Sequence, residues 1–270
     1  MRYIKEFFRF LKHIYSSREL LFTLIKNDFR KQYLGSYLGL IWAFIQPLTF
    51  IVVIWFVFEI GFRSGPTTNG TPFFLYLTTG MIPWFFISNA LISGTNSIVA
   101  NSFLVKKVSF RVSILPLVQI GSGLIIHMVL VGFLVVSFLF YGYMPTIYWL
   151  QLPFYMLCSI VLLLGLSWLT SAIRVFVKDI GNFIAVLMQI GFWTTPIFWS
   201  IDMIPTKHQW ILKLNPAFYI VDGYRNTFIN ASWFWENQNL TLYYFGLTIF
   251  CLGLGALVFK RLRPHFGDVL

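Results

Sequence analysis

Six apolar runs, each long enough to cross a bilayer, constrain this chain more than any other feature of its sequence. They lie at about 37–60, 73–98, 113–140, 152–173, 180–200 and 242–259. A helix rises 1.5 Å per residue, so about 20 residues cross a hydrocarbon core roughly 30 Å thick. Pro47 falls inside the first run and Pro83 inside the second. A proline withholds one helical hydrogen bond and bends the axis there. With 58% of residues hydrophobic and 11% charged, a soluble fold of 270 residues could not hide so much apolar surface. The expected fold class is an all-α integral membrane protein. Six transmembrane helices form one domain over 37–270.

The stretch 1–36 differs in kind. Ile4, Phe7, Phe8, Leu11, Ile14 and Tyr15 recur at helical spacing, with Arg2, Lys5, Arg9 and Lys12 between them. This pattern predicts an amphipathic helix lying in the membrane interface. Charges interrupt its apolar face, unlike the continuous core of a signal peptide. The stretch 201–241 mixes Trp210, Phe218, Tyr219, Trp233 and Trp235 with polar residues. It is expected to form short interfacial or re-entrant helices on the outer face, before the last span.

Charge position sets the orientation. The N-terminal segment holds 8 Lys and Arg, loop 99–112 holds 3, loop 174–179 holds 2 and the C-terminal tail 3. The segments on the other side hold Arg63, Lys207, Lys213 and Arg225. Positive loops stay inside, which predicts a multi-pass membrane protein with both termini in the cytoplasm. The net charge of +11 sits at the ends of apolar runs. There it meets anionic lipid headgroups, and no basic face of a soluble module is offered to nucleic acid.

Several chemistries lack their residues. The nine acidic side chains are scattered, no two in one span, and no HExxH, GxSxG or GxxxxGK[ST] pattern occurs. No catalytic residue and no metal ligand set is expected, and any ATP that drives the protein must bind another chain. Ion-coupled transport calls for ionisable groups at mid-membrane. Only His127 and Glu59 lie within spans, and His127 suits a hydrogen bond within the bundle better than a proton relay. Cys158 and Cys251 sit in apolar runs and read as small buried hydrophobes. Aromatics are abundant, with 31 Phe, 13 Tyr and 10 Trp. Most serve as belts and packing. Those of the first and fifth spans are candidates for a neutral conduit wall: Trp42, Phe44, Phe50, Phe192, Trp193, Phe198 and Trp199, with Gln46, Thr194 and Thr195 as hydrogen-bonding partners.

Four motifs point to one family. The approach to the first span reads Asn27-Asp28-Phe29-Arg30-Lys31, then Ser36-Tyr37-Leu38-Gly39-Leu40-Ile41-Trp42, then Gln46-Pro47. Val177-Lys178-Asp179-Ile180 follows the fourth span, and Thr195-Pro196-Ile197-Phe198-Trp199 closes the fifth. Leu214-Asn215-Pro216 precedes Tyr219-Ile220-Val221-Asp222-Gly223-Tyr224-Arg225. In order and spacing these resemble the permease subunits of type-2 ABC exporters of lipid-linked polysaccharide, the teichoic acid and O-antigen family. The resemblance covers nearly the whole chain, and the last motif leans toward the teichoic-acid branch.

The resemblance implies a homodimer of this chain with two copies of a cytosolic ATPase, which binds ATP and Mg. A polyprenyl-diphosphate-linked glycan would cross between the two permeases. Lys106, Lys107 and Arg111 in loop 99–112, with Lys178 and Asp179, become candidates for contact with the ATPase. Asn215, Pro216, Tyr224 and Arg225 become candidates for an outer gate. An ion-coupled secondary transporter, or a membrane-embedded glycosyl- or acyltransferase, is the alternative. Single cysteines at 69, 106 and 230 in intact cells test the orientation. Positions 69 and 230 should react with an impermeant thiol reagent and position 106 should not; the reverse pattern would invert the topology.

Overall fold

The computed structural model describes residues 18–33, 39–63, 70–106 and 111–270. The expected amphipathic pattern over 1–17 and the candidate Lys107 lie outside the described residues. Among the described residues every element is helical. Helix α1, Arg18–Tyr33, carries an amphipathic stripe of its own. Leu21, Leu24, Ile25 and Phe29 are half-buried, while Arg18, Lys26, Arg30 and Lys31 are exposed. That stripe lies on the third span. An added methyl on Gly121 would meet the end of Ile25, and Gln119 Nε2 donates to Asp28 Oδ1 at 2.6 Å.

Among the described residues, five helices are long and apolar enough to cross a membrane. Helix α2, Trp42–Trp55, continues into a π-helical turn, Phe56–Gly61. Helix α3 is Phe73–Ala100, α4 is Leu115–Phe140 and α5 is Leu152–Phe176. The last, α9 (numbered by its place in the chain), is Gln238–Leu262. Helix α3 is the hub, packed by α4, α5 and two shorter helices. Leu75, Leu77, Met81 and Ile82 on it are fully buried, as expected of a helix apolar on all sides. Helix α2 is the opposite case, burying only Ala43 and Ile51.

One core cluster joins Ile98, Val112, Leu115, Trp168, Val175 and Phe259. It gathers the ends of α3, α4, α5 and α9 at a single end of the bundle. By chain continuity Lys106, Arg111, Lys178, Lys260, Arg261 and Arg263 lie at this basic end. At the far end Phe138, Trp149 and Phe228 pack together, with ring centroids 4.8–6.2 Å apart.

Between helices, polar and small residues make the closest contacts. Thr95 and Thr170 hydroxyls bond at 2.7 Å, Tyr244 OH donates to the Cys158 carbonyl at 2.8 Å, and Trp168 Nε1 donates to the Ser113 carbonyl at 3.0 Å. Helices α5 and α9 touch backbone to backbone at Gly165 and Gly255. A methyl on Gly165 would lie 2.7 Å from the Leu252 nitrogen, and one on Gly255 would overlap the Gly165 carbonyl. Small residues permit such approach where lipid supplies no hydrophobic drive between helices.

The expected fifth span, 180–200, differs from the sequence reading. Helix α6 is Ile180–Thr194, 15 residues, which gives about 22 Å of rise, short of a hydrocarbon core of roughly 30 Å. Pro196 is the reason. It lacks an N–H and pushes the preceding residue out of the helical region, and Thr195 is extended with φ −87° and ψ 132°. Residues 195–200 then run without regular structure, yet Thr195 and Ile197 are fully buried. Beyond them come an exposed helix α7, Thr206–Lys213, and a buried helix α8, Pro216–Arg225, which packs on α3 and α5. So the stretch 201–241 holds one exposed and one inserted helix. We expect Gly165→Val and Gly255→Val each to destabilise the detergent-purified protein by about 1–3 kcal/mol through overpacking. A thermal unfolding series checks this, with Gly253→Val, which meets open space, as the neutral control.

Candidate functional site

Irregular backbone at membrane depth survives only where protein satisfies its polar groups. The break after α6 meets this demand with three side chains from two elements, α3 and the capped helix α8. Arg225 Nη2, at the end of α8, donates to the Ile197 carbonyl at 2.7 Å. Tyr76 OH, from α3, donates to the Trp199 carbonyl at 2.9 Å. Asn215 Nδ2 donates to the Thr195 hydroxyl at 2.9 Å. The Ile197 N–H turns back to the Thr195 carbonyl at 2.7 Å, folding the chain tightly around Pro196.

Each partner is itself held. Asn215 is the N-cap of α8, its Oδ1 accepting from the Ala217 N–H at 3.0 Å, with Pro216 at the first helical position. The Arg225 guanidinium lies over the Tyr76 ring at 3.8 Å, a cation–π contact strengthened by exclusion of water. Gly80 completes the fit, because a methyl there would stand 2.9 Å from the Ile197 carbonyl oxygen. We call this assembly the latch.

Tyr224 extends it. Its OH and His127 Nε2 of α4 share a 2.7 Å hydrogen bond, and the His127 ring stacks on Phe86 at 4.7 Å. Consecutive residues of α8 thus hold two different elements: Tyr224 holds α4 and Arg225 holds the break. Helix α8 can sit this deep because Gly223 faces Tyr155, whose ring an added methyl would overlap.

The α2–α6 flank is a seam of rings. Phe50 of α2 meets Phe85 at 6.1 Å and Phe192 of α6 at 5.8 Å. Phe192 and Trp193 both pack on Phe198, at 5.6 and 5.3 Å. The candidates for the conduit wall therefore divide. Phe198 is buried within the chain, and Phe44, Phe192 and Trp199 are half-buried. Trp42, Phe50 and Trp193 are exposed, at 43%, 43% and 59%, as are Gln46 and Thr194. Helix α6 buries only Ile184, so this flank presents a broad apolar face.

At the basic end, Lys106 is exposed after the one-turn helix Ser102–Val105, and Arg111 is half-buried. Lys31 of α1 reaches over the Phe103 ring at 5.8 Å, which draws the amphipathic helix to this turn. Lys178 and Asp179 are exposed at the start of α6. Asp179 occupies the N-cap position without a side-chain cap bond.

Sequence reasoning named Thr195, Asn215, Tyr224 and Arg225 without their partners. It missed Tyr76 and Gly80. Their spacing of four puts both on one face of α3, a signal that points to no partner until the break is placed beside it. Removing the latch tests its role. Arg225→Met should cost about 1–3 kcal/mol by stranding the Ile197 carbonyl, and Tyr76→Phe about 0.5–1.5 kcal/mol. In Arg225→Met a cysteine at 198, shielded in the parent protein, should become reactive to thiol reagents. Unchanged melting and reactivity would deny that the latch holds the break.

Comparison with known proteins places this architecture. An ABC-2 type transporter family model matches residues 19–229, a range that includes α1, four long spans and the whole latch. Two Klebsiella pneumoniae proteins named O-antigen export system permease protein RfbA are 27% and 29% identical to this chain. Each alignment spans 93% of this chain and 95% of the relative. A Myxococcus xanthus protein of the same name is 26% identical over 82% of this chain and 84% of its own length. With five long apolar helices and a family match across most of its length, this chain is a multi-pass membrane protein that belongs to the ABC-2 type transporter family.

Proposed function

We propose that this chain is the transmembrane subunit of an ATP-driven exporter of a lipid-linked polysaccharide. The observation that carries the reading is the near full-length similarity to proteins named as O-antigen export permeases. Among the two polymer classes weighed from the sequence, those names favour O-antigen-type chains over teichoic acid. The structure supports the reading in two further ways. The long helices carry no charge at mid-depth, where one would cost roughly 2.5–3.5 kcal/mol. The α2–α6 flank leaves Trp42 and Trp193 exposed on a neutral, ring-lined face.

Two such flanks, brought together in a homodimer, would enclose a conduit of aromatic faces and neutral hydrogen-bonding groups. Rings offer sugar faces a flat apolar surface, while the absence of charge opposes ion leakage. The basic end, with Lys106, Arg111 and Lys178, would face the cytoplasm and the anionic leaflet. A separate ATPase would dock there, near the exposed one-turn helix at 102–105 and the start of α6. The latch, with Asn215, Tyr224 and Arg225, would brace the outer half of the conduit from within each subunit rather than line it.

Deletion of the chain should abolish surface polymer and leave lipid-linked precursor inside the cell. At matched expression, Trp42→Ala or Trp193→Ala should lower surface polymer several-fold, whereas Leu257→Ala on α9, away from the flank, should not. Full export in both tryptophan variants would remove the aromatic wall from the mechanism. Undiminished polymer in the deletion strain would remove the exporter reading itself.

A further inference from the structure

Under the Pro47 bend lies a cavity of about 260 Å³, open on one side, between α2, α3 and α4. Its lining is partly polar. Gln46 of α2 and Asn89 of α3 face it, both are exposed, and neither amide forms a hydrogen bond among the described residues. Pro47 cannot donate to the carbonyl four residues earlier, which belongs to Ala43, and both residues line the cavity. A buried His127 supplies part of the rear wall, and Phe50, Phe85 and Phe86 supply flat apolar surface. Each unbonded polar group in an apolar setting costs free energy until it finds a partner. Two neutral amides, each able to give and take hydrogen bonds, converge here with aromatic rings.

That combination selects the occupant. A charged group would find no counter-charge. A prenyl or acyl chain would leave two amides unmatched. A second copy of the chain would have to enter a concave space closed by three helices. The volume lies below the roughly 300–1,000 Å³ of pockets for drug-sized ligands, which suits a single ring. Gly123 keeps the space clear, since even an added methyl would have no neighbour nearer than 3.8 Å. We propose that this cavity is a subsite for one uncharged sugar ring of the exported chain, a reading that rests on the exporter function above. The ring's hydroxyls bond Gln46 and Asn89, and its apolar face lies on the phenylalanines.

Photocrosslinking in the assembled transporter, in cells making the polymer, tests this. A benzophenone amino acid replaces Ile126 or, in a second strain, Leu130, both on the cavity wall, and Leu257 on α9 is the control position. Illumination should attach glycan at 126 or 130 and none at 257. Asn89→Leu or Gln46→Leu should reduce the glycan adduct about three- to tenfold, the loss of one hydrogen bond. Gly123→Leu should abolish it by filling the space. In strains that still export, an adduct with prenyl lipid alone, with a second copy of the chain alone, or with nothing would overturn the proposal while leaving the exporter reading intact. Failure of the exporter reading shows separately, as surface polymer that persists when the whole chain is deleted.

Discussion

Backbone N–H and C=O groups buried in the protein must find their partners there, and the hydrogen bond from Arg225 to the Ile197 carbonyl answers that demand where a helix cannot. Helix α6 stops at Thr194 because Pro196 follows, and the chain then runs irregularly through the packed interior. The rest of the far half is arranged around this fact. Helix α8 is inserted so that Asn215 and Arg225 reach the break. Helix α3 gives up a side chain at Gly80 and presents Tyr76 one turn away. Tyr224 and His127 then fasten α8 to α4. A guanidinium buried at such a place would be prohibitive alone. Its stacking on Tyr76 and its bond to a carbonyl replace much of the water it loses.

The two halves of the bundle are built on different principles. The basic end closes by apolar packing around Ile98, Trp168 and Phe259, with hydroxyl and glycine contacts between helices. The far end depends on a directed polar network. Apolar packing tolerates small sliding of one helix on another. A network of specific donors and acceptors has few alternative arrangements, so it fixes the geometry of the segment it holds. On the function proposed above, that division would suit a transporter: the end assigned to the ATPase could shift while the latched segment keeps its shape.

The sequence made the long spans legible because hydropathy measures directly what lipid demands. Runs at 73–98, 113–140 and 152–173 correspond to α3, α4 and α5 with ends displaced by a few residues. It failed at 180–200, where apolar residues continue past Pro196 although the helix does not. Hydropathy cannot separate an apolar helix from apolar irregular chain, and only the proline carried the distinction. The motif residues Asn215, Tyr224 and Arg225 were found, but their roles were not, because each acts on a residue 20 to 97 positions away. The same holds for Asp28 with Gln119. Long-range polar pairing leaves no periodic trace in a single sequence. Gln46 and Asn89 likewise read as isolated polar residues until α2 and α3 are set side by side.

The latch also has a direction in time. A ribosome makes the chain from residue 1 onward, so α6 and the broken segment emerge before α8 exists. Tyr76 is already present to receive the Trp199 carbonyl, but the donor for Ile197 lies 28 residues further on. During that interval the Ile197 carbonyl lacks the partner it has in the finished fold. The nascent chain cannot settle one span after another, as simple helical hairpins do. The segment around Ile197 takes its final form only when Arg225 has been made.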